Sequence, residues 1–574
     1  MRKRKLRGGI AVLSLATALC LAQGVAVYAE GTDDGSTLVT ADLSKGIEYR
    51  YYEGSTTRVE GINLNGNSVI IRQSPNSTSS EPRLNVYNDK DRDGVLDEGE
   101  EAFEIDGSTD ILPYQVYGVY GEKTKTPISI TVDGASLGNV WGVYKGAMEY
   151  ESTGSDPAVS ISVNKGSNVS AATCLYSSEA VGSMKINISG DCNVSQLQGA
   201  LQSKVDGDID IDITDNAFAG TVYGIQVGYA SGSVDVYTDN TVDVGYLYGV
   251  YASTIDGSLT VNSMLKADKG SGYVYAATNG TYSGKDYAVK GNVVLTAKNA
   301  KLGYVYAVTN GANTLGGVTV DISNTTLNEM YGVSNSASAA GDVSIRLNGI
   351  ECSDSYSSMY GAYSANIAGK LKFEVMNAKG KGISVYGTSN SDILGDVDID
   401  IDGQGAEFAS VYGLNGGTVK GMVNIDIENI NVSSSMYGIY SAKLEQSSPE
   451  GADAYANVIT LKNIVSSSYY TYGVYYVSTM GSTHMILDNI KSGNYLYGLD
   501  FSGAITGKLK MDISNCSAEN AYILRGNGSS PTVVGDFDLT LTDSAFKNSL
   551  YVLNTATFAE NASVDIRNVI SNLC

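Results

Sequence analysis

The chain has 574 residues with 62 acidic and 38 basic side chains, and its net charge is −24. An acidic surface of this kind repels nucleic acid and anionic membranes, so neither is a predicted partner. Six cysteines without a repeated spacing do not form a disulfide framework. The composition therefore argues against a nucleic-acid-binding protein and against a small disulfide-stapled scaffold.

Residues 1–29 have the layout of a secretory signal peptide. Five basic residues are followed by an apolar run that begins at Ile10, and small residues lead to a predicted cleavage after Ala29. Removing five basic residues leaves 33 basic and 62 acidic side chains, a net charge of about −29. No later stretch approaches the roughly 18 apolar residues that span a bilayer. We expect an extracellular protein, either released or held at the cell surface, without a membrane span.

Residues 30–114 are predicted to form an N-terminal β cap region, and they contain the strongest local motif, "VYNDKDRDGVLDEGEEAFEI". Its spacing resembles the EF-hand loop, which is also found in dockerin-type and other bacterial surface calcium modules. The resemblance covers twelve residues, with Gly94 at the position of the sharp turn. It implies Ca²⁺ as a structural cofactor. The implied ligands are Asp89, Asp91, Asp93, the Val95 carbonyl, Asp97 and Glu100.

The flanks of this loop depart from the EF-hand. "LNVY" before it and "EAFEI" after it alternate like strands, so a helix-loop-helix sensor is not expected. The alternative to calcium binding is a solvated acidic turn.

From residue 115 to 574 the chain repeats itself around a tyrosine that is usually followed by glycine. The mean spacing is about 27 residues over the 434 residues that separate the first and last anchors. The anchors are Tyr117, Trp141, Ser170, Ser195, Tyr223, Tyr248, Tyr275, Tyr306, Tyr331, Tyr360, Tyr386, Tyr412, Tyr437, Tyr472, Tyr497, Tyr522 and Tyr551. A polar insertion at about 443–455 lengthens one interval and is predicted to be a loop.

Between anchors stands a second element, of which "GDVDIDIDG" from Gly395 is typical. Glycine is followed by strictly alternating apolar and polar residues and then by Asn, Asp or Gly, a pattern that predicts a half-buried strand between turns. Stacking these strands predicts two inward columns. They are Val318, Val343, Leu371, Val397, Val423 and Val320, Ile345, Phe373, Ile399, Ile425.

One repeat cannot bury its apolar side alone, but stacked repeats form a continuous core. The sequence therefore predicts an all-β fold, a parallel β-helix of about 17 turns with about 27 residues per turn. A β-propeller is disfavoured, because its blades need 40 residues or more. At about 4.8 Å per turn, the rod is on the order of 80 Å long.

The tyrosines admit two interpretations. The favoured one is a ladder in which each ring stacks on the ring of the next turn, with Tyr-Gly marking a corner or bulge where glycine supplies backbone freedom. The other is an exposed aromatic stripe that binds sugar rings or a protein. Tyrosines three residues after the anchor are better candidates for such a contact surface, and they are Tyr120, Tyr144, Tyr251, Tyr363, Tyr440 and Tyr475.

The acidic strands do not predict catalysis. Their acids alternate along the strands and form no compact cluster with Lys or Arg within one stretch, so a solvated face is favoured. His484, the one histidine, is expected only to decorate a strand.

The chain looks like the broad class of bacterial surface and adhesin β-helices. This resemblance implies a non-enzymatic, adhesin-like, ligand-binding or spacer rod, with a surface glycan or a protein as ligand. The alternative is a carbohydrate-active β-helix, either a polysaccharide lyase or hydrolase or a glycan-binding protein. The strand-like end at "SVDIRNVISNLC" also predicts end-to-end association through the C-terminal solenoid edge.

Overall fold

The computed structural model describes residues 38–39, 48–52, 58–78, 83–100, 102–106, 115–150, 156–266, 272–282, 284–352, 357–446, 454–528 and 531–572. The predicted signal peptide lies outside these residues. In the described residues the predicted parallel β-helix is confirmed, with about 17 turns of about 26 residues. Each coil has three faces in a fixed order, which we call the tyrosine face, the short-strand face and the alternating face.

The tyrosine face carries the Tyr-Gly pairs, and each strand pairs in parallel with the equivalent strand of the next coil. Its strands are Gln115–Tyr120, Ser136–Tyr144, Asn168–Tyr176, Asn193–Leu201, Phe218–Gln226, Asp243–Tyr251, Tyr273–Thr278, Tyr304–Val308, Glu329–Ser334, Ser358–Tyr363, Lys381–Ser389, the second halves of Val397–Asn415 and Val423–Tyr440, Tyr470–Met480, Tyr495–Ile505, Ser517–Gly526 and Ala545–Asn554.

The short-strand face follows. Its strands are Lys123–Thr124, Ala147–Glu149, Glu179–Val181, Lys204–Asp206, Tyr229–Ala230, Thr254–Ile255, Asn313–Thr314, Ser338–Ala339, Asn366–Ile367, Asp392–Ile393, Thr418–Val419, Lys443–Leu444, Thr532–Val533 and Thr557–Phe558.

The alternating face completes each coil. Its strands are Ile128–Asp133, Val159–Asn164, Met184–Ile188, Ile209–Ile213, Val234–Thr238, Leu259–Ser263, Val293–Lys298, Val318–Ser323, Val343–Asn348, Leu371–Met376, the first halves of Val397–Asn415 and Val423–Tyr440, Asn457–Ser466, Thr483–Ser492, Leu509–Ser514, Phe537–Thr542 and Ala562–Arg567. The last strand, Ile570–Ser571, pairs with the start of Ala545–Asn554.

Antiparallel strands precede the first parallel coil. Leu38–Val39 and Glu48–Tyr52 extend the tyrosine sheet beyond Arg58–Asn63, while Arg83–Asn88 and Ala102–Asp106 extend the alternating sheet beyond Val69–Gln73. At the other end, no described coil stacks on the last one. Its inward side chains Val564 and Ile566 are therefore 41% and 44% exposed.

The predicted register of the alternating face is confirmed. Val318 pairs with Val343, and the column continues through Leu371, Val397 and Val423, all at most 2% exposed. Because every coil repeats this pattern, the inward side chains form one continuous core. Its burial supplies most of the stability, at about 25 cal/mol for each Å² of apolar surface removed from water.

In most coils, two corners contain a residue with left-handed backbone conformation. Four residues after the anchor tyrosine the chain turns with positive φ, as at Lys145, Ala252 and Asn335. The alternating strands end at the predicted turn formers, usually a left-handed asparagine. At Asn429, Asn463 and Asn489 the side-chain amides bond to one another across coils at 2.9 Å, so the turn residues also form a ladder.

Two of the predicted anchor positions were wrong. The residues that stack in the tyrosine column are Thr173 and Gln198, not Ser170 and Ser195, because Trp141 pairs with Thr173 and Gln198 with Tyr223. Extra residues ahead of Val159 lengthen the coil between Trp141 and Thr173, so the distance between these two column positions exceeds the mean repeat length. Polar side chains here replace the aromatic rings, and Thr173 Oγ1 donates a hydrogen bond of 3.0 Å to Gln198 Oε1.

The glycine after the tyrosine is required for space. The pattern of burial changes there as predicted, since Leu247 and Val250 are both fully buried although they lie three residues apart. However, Gly249 is not left-handed, so the predicted reason is wrong. A Cβ atom on Gly387 would lie 2.5 Å from the Gly413 carbonyl oxygen and 2.3 Å from Ile399 Cδ1.

Replacing this glycine by a branched residue should therefore destabilise the solenoid. We expect Gly387→Val to lower the free energy of unfolding by about 1–3 kcal/mol, the usual cost of overfilling a packed core. Urea unfolding followed by circular dichroism measures the change. Ala340→Val, on an exposed residue, is the matched control, and an equal shift in both variants would contradict the steric explanation.

Candidate calcium loop and tyrosine ladder

The acidic loop joins two strands of a β-hairpin. Arg83–Asn88 pairs antiparallel with Ala102–Asp106, so the predicted strand-like flanks are present and the loop is not held between helices. The loop also packs on the solenoid. A Cβ atom on Gly94 would lie 2.8 Å from Thr131 Oγ1 of the first alternating strand, and Arg92 Nη2 lies 3.6 Å from Asp156 Oδ2.

Backbone amides hold the first half of the loop in shape. Asp89 Oδ1 accepts a hydrogen bond from Arg92 N at 2.7 Å, and Asp89 Oδ2 accepts one from Gly94 N at 3.1 Å. Arg92 and Gly94 both have left-handed backbone conformations, which fold the chain back on itself. As a result, carboxylate oxygens of Asp89, Asp91 and Asp93 lie within 4.8 Å of one another.

Glu100 closes the loop. Its Oε1 accepts a hydrogen bond from Lys90 N at 3.1 Å, and its Oε2 accepts one from Asp97 N at 3.2 Å. The pKa of Asp97 is raised by desolvation and by the charges of Asp93, Asp91 and Glu100. The structure thus brings Asp89, Asp91 and Asp93 into one group that could hold a metal ion, while Asp97 and Glu100 lie outside this group. The Val95 carbonyl as a further ligand stays a prediction.

Asp89 is the innermost of these acids. Its residue is only 2% exposed. Desolvation raises its pKa to about 6, although hydrogen bonds from the amides of Gly94 and Arg92 oppose this rise and the nearby Glu100 charge adds to it. A buried carboxyl among other acids is costly to ionise, and a bound divalent cation would remove that cost.

The tyrosine ladder is confirmed over thirteen consecutive coils. Neighbouring rings from Tyr223 to Tyr551 stack with centroids 4.4–5.1 Å apart and planes within 16° of parallel. Each such pair adds about 0.5–1.5 kcal/mol beyond area burial. Because each ring face covers the next, the ladder offers its edges and hydroxyls to the outside.

The tyrosines three residues after the anchor position lie beside the anchor column, both in the ladder and in the coils before it. Tyr120, Tyr144 and Tyr176 stack on one another at 5.0 and 4.7 Å, while Tyr363 and Tyr440 meet the ladder rings edge-on. All five are partly exposed.

The structure brings together a polar cluster that the sequence alone did not indicate. His484 Nε2 lies 2.8 Å from Asp512 Oδ2, and Lys510 Nζ lies 3.0 Å from the same oxygen. The Tyr455 ring lies 5.2 Å from the histidine ring, with Lys508 Nζ 4.3 Å from its centroid. His484 and the pair of Lys510 and Asp512 lie on adjacent coils. The repeat register could have predicted that these residues are neighbours.

The other acids of the alternating face point outward as predicted. Glu374, Asp400 and Asp426 stack in one column. Desolvation raises the pKa values of Asp400 and Asp426, and the neighbouring acids raise them further. Asp396 instead pairs with Lys370 at 2.8 Å. The described cysteines Cys174, Cys192, Cys352 and Cys516 are buried and form no disulfide with one another.

No protein-family model, curated protein or solved structure matches this chain. Among the described residues, no helix has the length and apolar character needed to cross a membrane.

The ladder predicts an unusual alkaline titration. Desolvation is the first cause that raises the pKa values of Tyr331, Tyr360 and Tyr472, and neighbouring tyrosines add to it. The pKa of Tyr497 rises to about 12. Because the folded pKa values exceed the unfolded value of about 10, this contribution to stability is complete below pH 10 and is lost as pH rises further.

Absorbance at 295 nm measures tyrosinate directly. In the native protein we expect one fraction of the tyrosines to ionise near pH 10. The remaining tyrosines should ionise only at higher pH, together with unfolding. Denatured protein should titrate in one step. A single native step near pH 10, with the fold retained, would contradict the buried ladder.

Proposed function

We propose that this protein is an exported, non-enzymatic solenoid rod that acts at or near the cell surface as an adhesin-like, ligand-binding element. The observation that carries the proposal is the regularity of the coils. The register, the corners and the thirteen-ring stack repeat with little change, which gives a stiff body and a long outer surface. The signal-peptide layout of residues 1–29 supports export.

We further propose that Ca²⁺ binds the acidic loop and rigidifies the N-terminal region. The converging carboxylates of Asp89, Asp91 and Asp93 suit a hard cation that prefers oxygen ligands, and Asp97 and Glu100 belong to the same loop. The role is structural, because the loop packs against the first coil through Gly94 and Thr131. Asp89, Asp91, Asp93, Asp97 and Glu100 supply the side-chain oxygens.

Calcium binding should depend on pH with a definite sign. Folding raises the pKa of Asp89 from 3.8 to about 6 without metal. Its contribution to metal-free stability is therefore present below about pH 4 and is lost as pH rises through 6, where Ca²⁺ competes better. We expect Ca²⁺ added after EDTA treatment to raise the unfolding temperature more at pH 7.5 than at pH 5.

Calorimetric titration at pH 7.5 should show one site in the wild type. Asp89→Asn and Glu100→Gln should weaken it at least tenfold, whereas Asp321→Asn, on an exposed acid of the alternating face, should not. An equal calcium response in Asp89→Asn and wild type would assign binding elsewhere, and no response at pH 7.5 would favour a solvated acidic turn.

The polar cluster at His484 favours a second candidate, a carbohydrate-active β-helix. A histidine held by a carboxylate and flanked by lysines has the groups that proton transfer on a polysaccharide needs. The two candidates differ in one product. A degrading enzyme releases reducing or unsaturated sugars, whereas a binding rod does not.

A glycan array combined with an assay of released sugar ends separates these candidates. We expect wild-type protein to bind glycans and to release no reducing or unsaturated ends. Release that is abolished by His484→Ala and retained by Lys298→Ala, an exposed lysine elsewhere on the same face, would establish the enzymatic alternative.

A further inference from the structure

Two exposed tyrosines and one partly exposed tyrosine break the regular stacking in neighbouring coils, and we call Tyr469, Tyr470 and Tyr495 the tilted patch. Tyr470 and Tyr495 pair in adjacent strands of the tyrosine face, and Tyr469 precedes the first of them. Tyr469 is 55% exposed and Tyr470 is 40% exposed. Large aromatic side chains left this open to water are typical of binding surfaces.

Ring orientation separates this patch from the ladder. The Tyr469 and Tyr470 rings meet at 79° and 4.6 Å, and Tyr470 meets Tyr495 at 32° and 5.5 Å. Earlier coils show regular stacking at the same position, two residues before the anchor. There the rings of Tyr246, Tyr273 and Tyr304 stack within 13° of parallel. In the edge-to-face contact of Tyr469 with Tyr470, the edge of one ring covers a face of only the other ring. The pair therefore leaves ring faces uncovered, whereas the parallel stack from Tyr246 to Tyr304 leaves mainly ring edges.

The backbone beneath the patch is fixed. Ser468, which is 6% exposed, donates through Oγ to the Ser434 carbonyl of the preceding coil at 2.5 Å. Tyr495 N donates to the Tyr469 carbonyl at 3.1 Å. The rings therefore stand on paired coils, and little backbone freedom is lost when a ligand binds.

Polar side chains stand beside the patch. Asn520 stacks on Tyr495 in the next coil, and its Nδ2 donates to Asn494 Oδ1 at 3.2 Å. Glu519 is 3.7 Å from Lys547, so these two charges offset each other. Amide groups next to aromatic faces can bond to sugar hydroxyls while the apolar C–H side of the sugar ring lies on the aromatic ring.

We propose that the tilted patch binds a neutral saccharide by stacking sugar rings on Tyr469 and Tyr470, with Asn494 and Asn520 bonding to hydroxyls. This rests on the proposed role as a ligand-binding rod and names its site. A cation held between the rings does not fit, because ring centroids 4.6 Å apart leave no gap for it. A polyanionic glycan is repelled by a chain of net charge −24.

Affinity electrophoresis tests the site with full-length protein and gels that contain a neutral soluble polysaccharide. The probes are a mixed-linkage β-glucan, a xyloglucan, a galactomannan, a yeast mannan and dextran. We expect at least one to retard the wild type. Tyr469→Ala and Tyr470→Ala should each weaken binding about tenfold or more, and Tyr469→Phe should retain it.

Tyr246→Ala is the matched control, because Tyr246 is 38% exposed and lies outside the patch. Circular dichroism and the unfolding temperature confirm that each variant is folded. Binding that survives both alanine substitutions would overturn the site while leaving the ligand-binding role intact. Absence of retardation by every probe would overturn the neutral-saccharide proposal, and sugar release in the separate assay would overturn the non-enzymatic role alone.

A second copy of the chain is the competing occupant. Sedimentation velocity over a hundredfold range of concentration measures self-association. We expect the wild type and Tyr469→Ala to sediment alike. Association in the wild type that disappears in Tyr469→Ala would assign the patch to contact between copies and overturn the saccharide proposal.

Discussion

The solenoid of this protein depends on parallel backbone pairing between successive coils. Pairing fixes the rise at about 4.8 Å and places each residue directly over its equivalent in the previous coil. Apolar residues therefore form core columns, as from Val318 to Val423. The same constraint turns tyrosines into a ring stack and asparagines into an amide ladder, because identical side chains meet at contact distance.

The periodicity made the fold predictable from sequence. Strict alternation identified the inward columns of the alternating face, and the repeat of about 27 residues identified the coils. The anchors at Ser170 and Ser195 failed because the true column members, Thr173 and Gln198, are polar and the coil before them is longer. Spacing alone cannot locate a column in which the marker residue has been replaced.

Sites within one stretch of chain were easier to predict than sites across coils. The loop from Asp89 to Glu100 is local, so its order of acids could be matched to a calcium loop and its convergence follows from backbone turns. The cluster of His484, Lys510 and Asp512 depends on a register between two successive coils that is accurate to one residue. The tilt of the Tyr469 ring depends on local packing, which no sequence period encodes.

Equivalent columns also make the coil a unit of length. If residues 397–422 were removed, Val423 would take the place of Val397 above Leu371, and Tyr437 would take the place of Tyr412 above Tyr386. Each contact would be replaced by a chemically similar one, so duplication or loss of one repeat changes the length of the rod by about 4.8 Å without a new core. The number of repeats thus sets the length of the solenoid in steps of one coil.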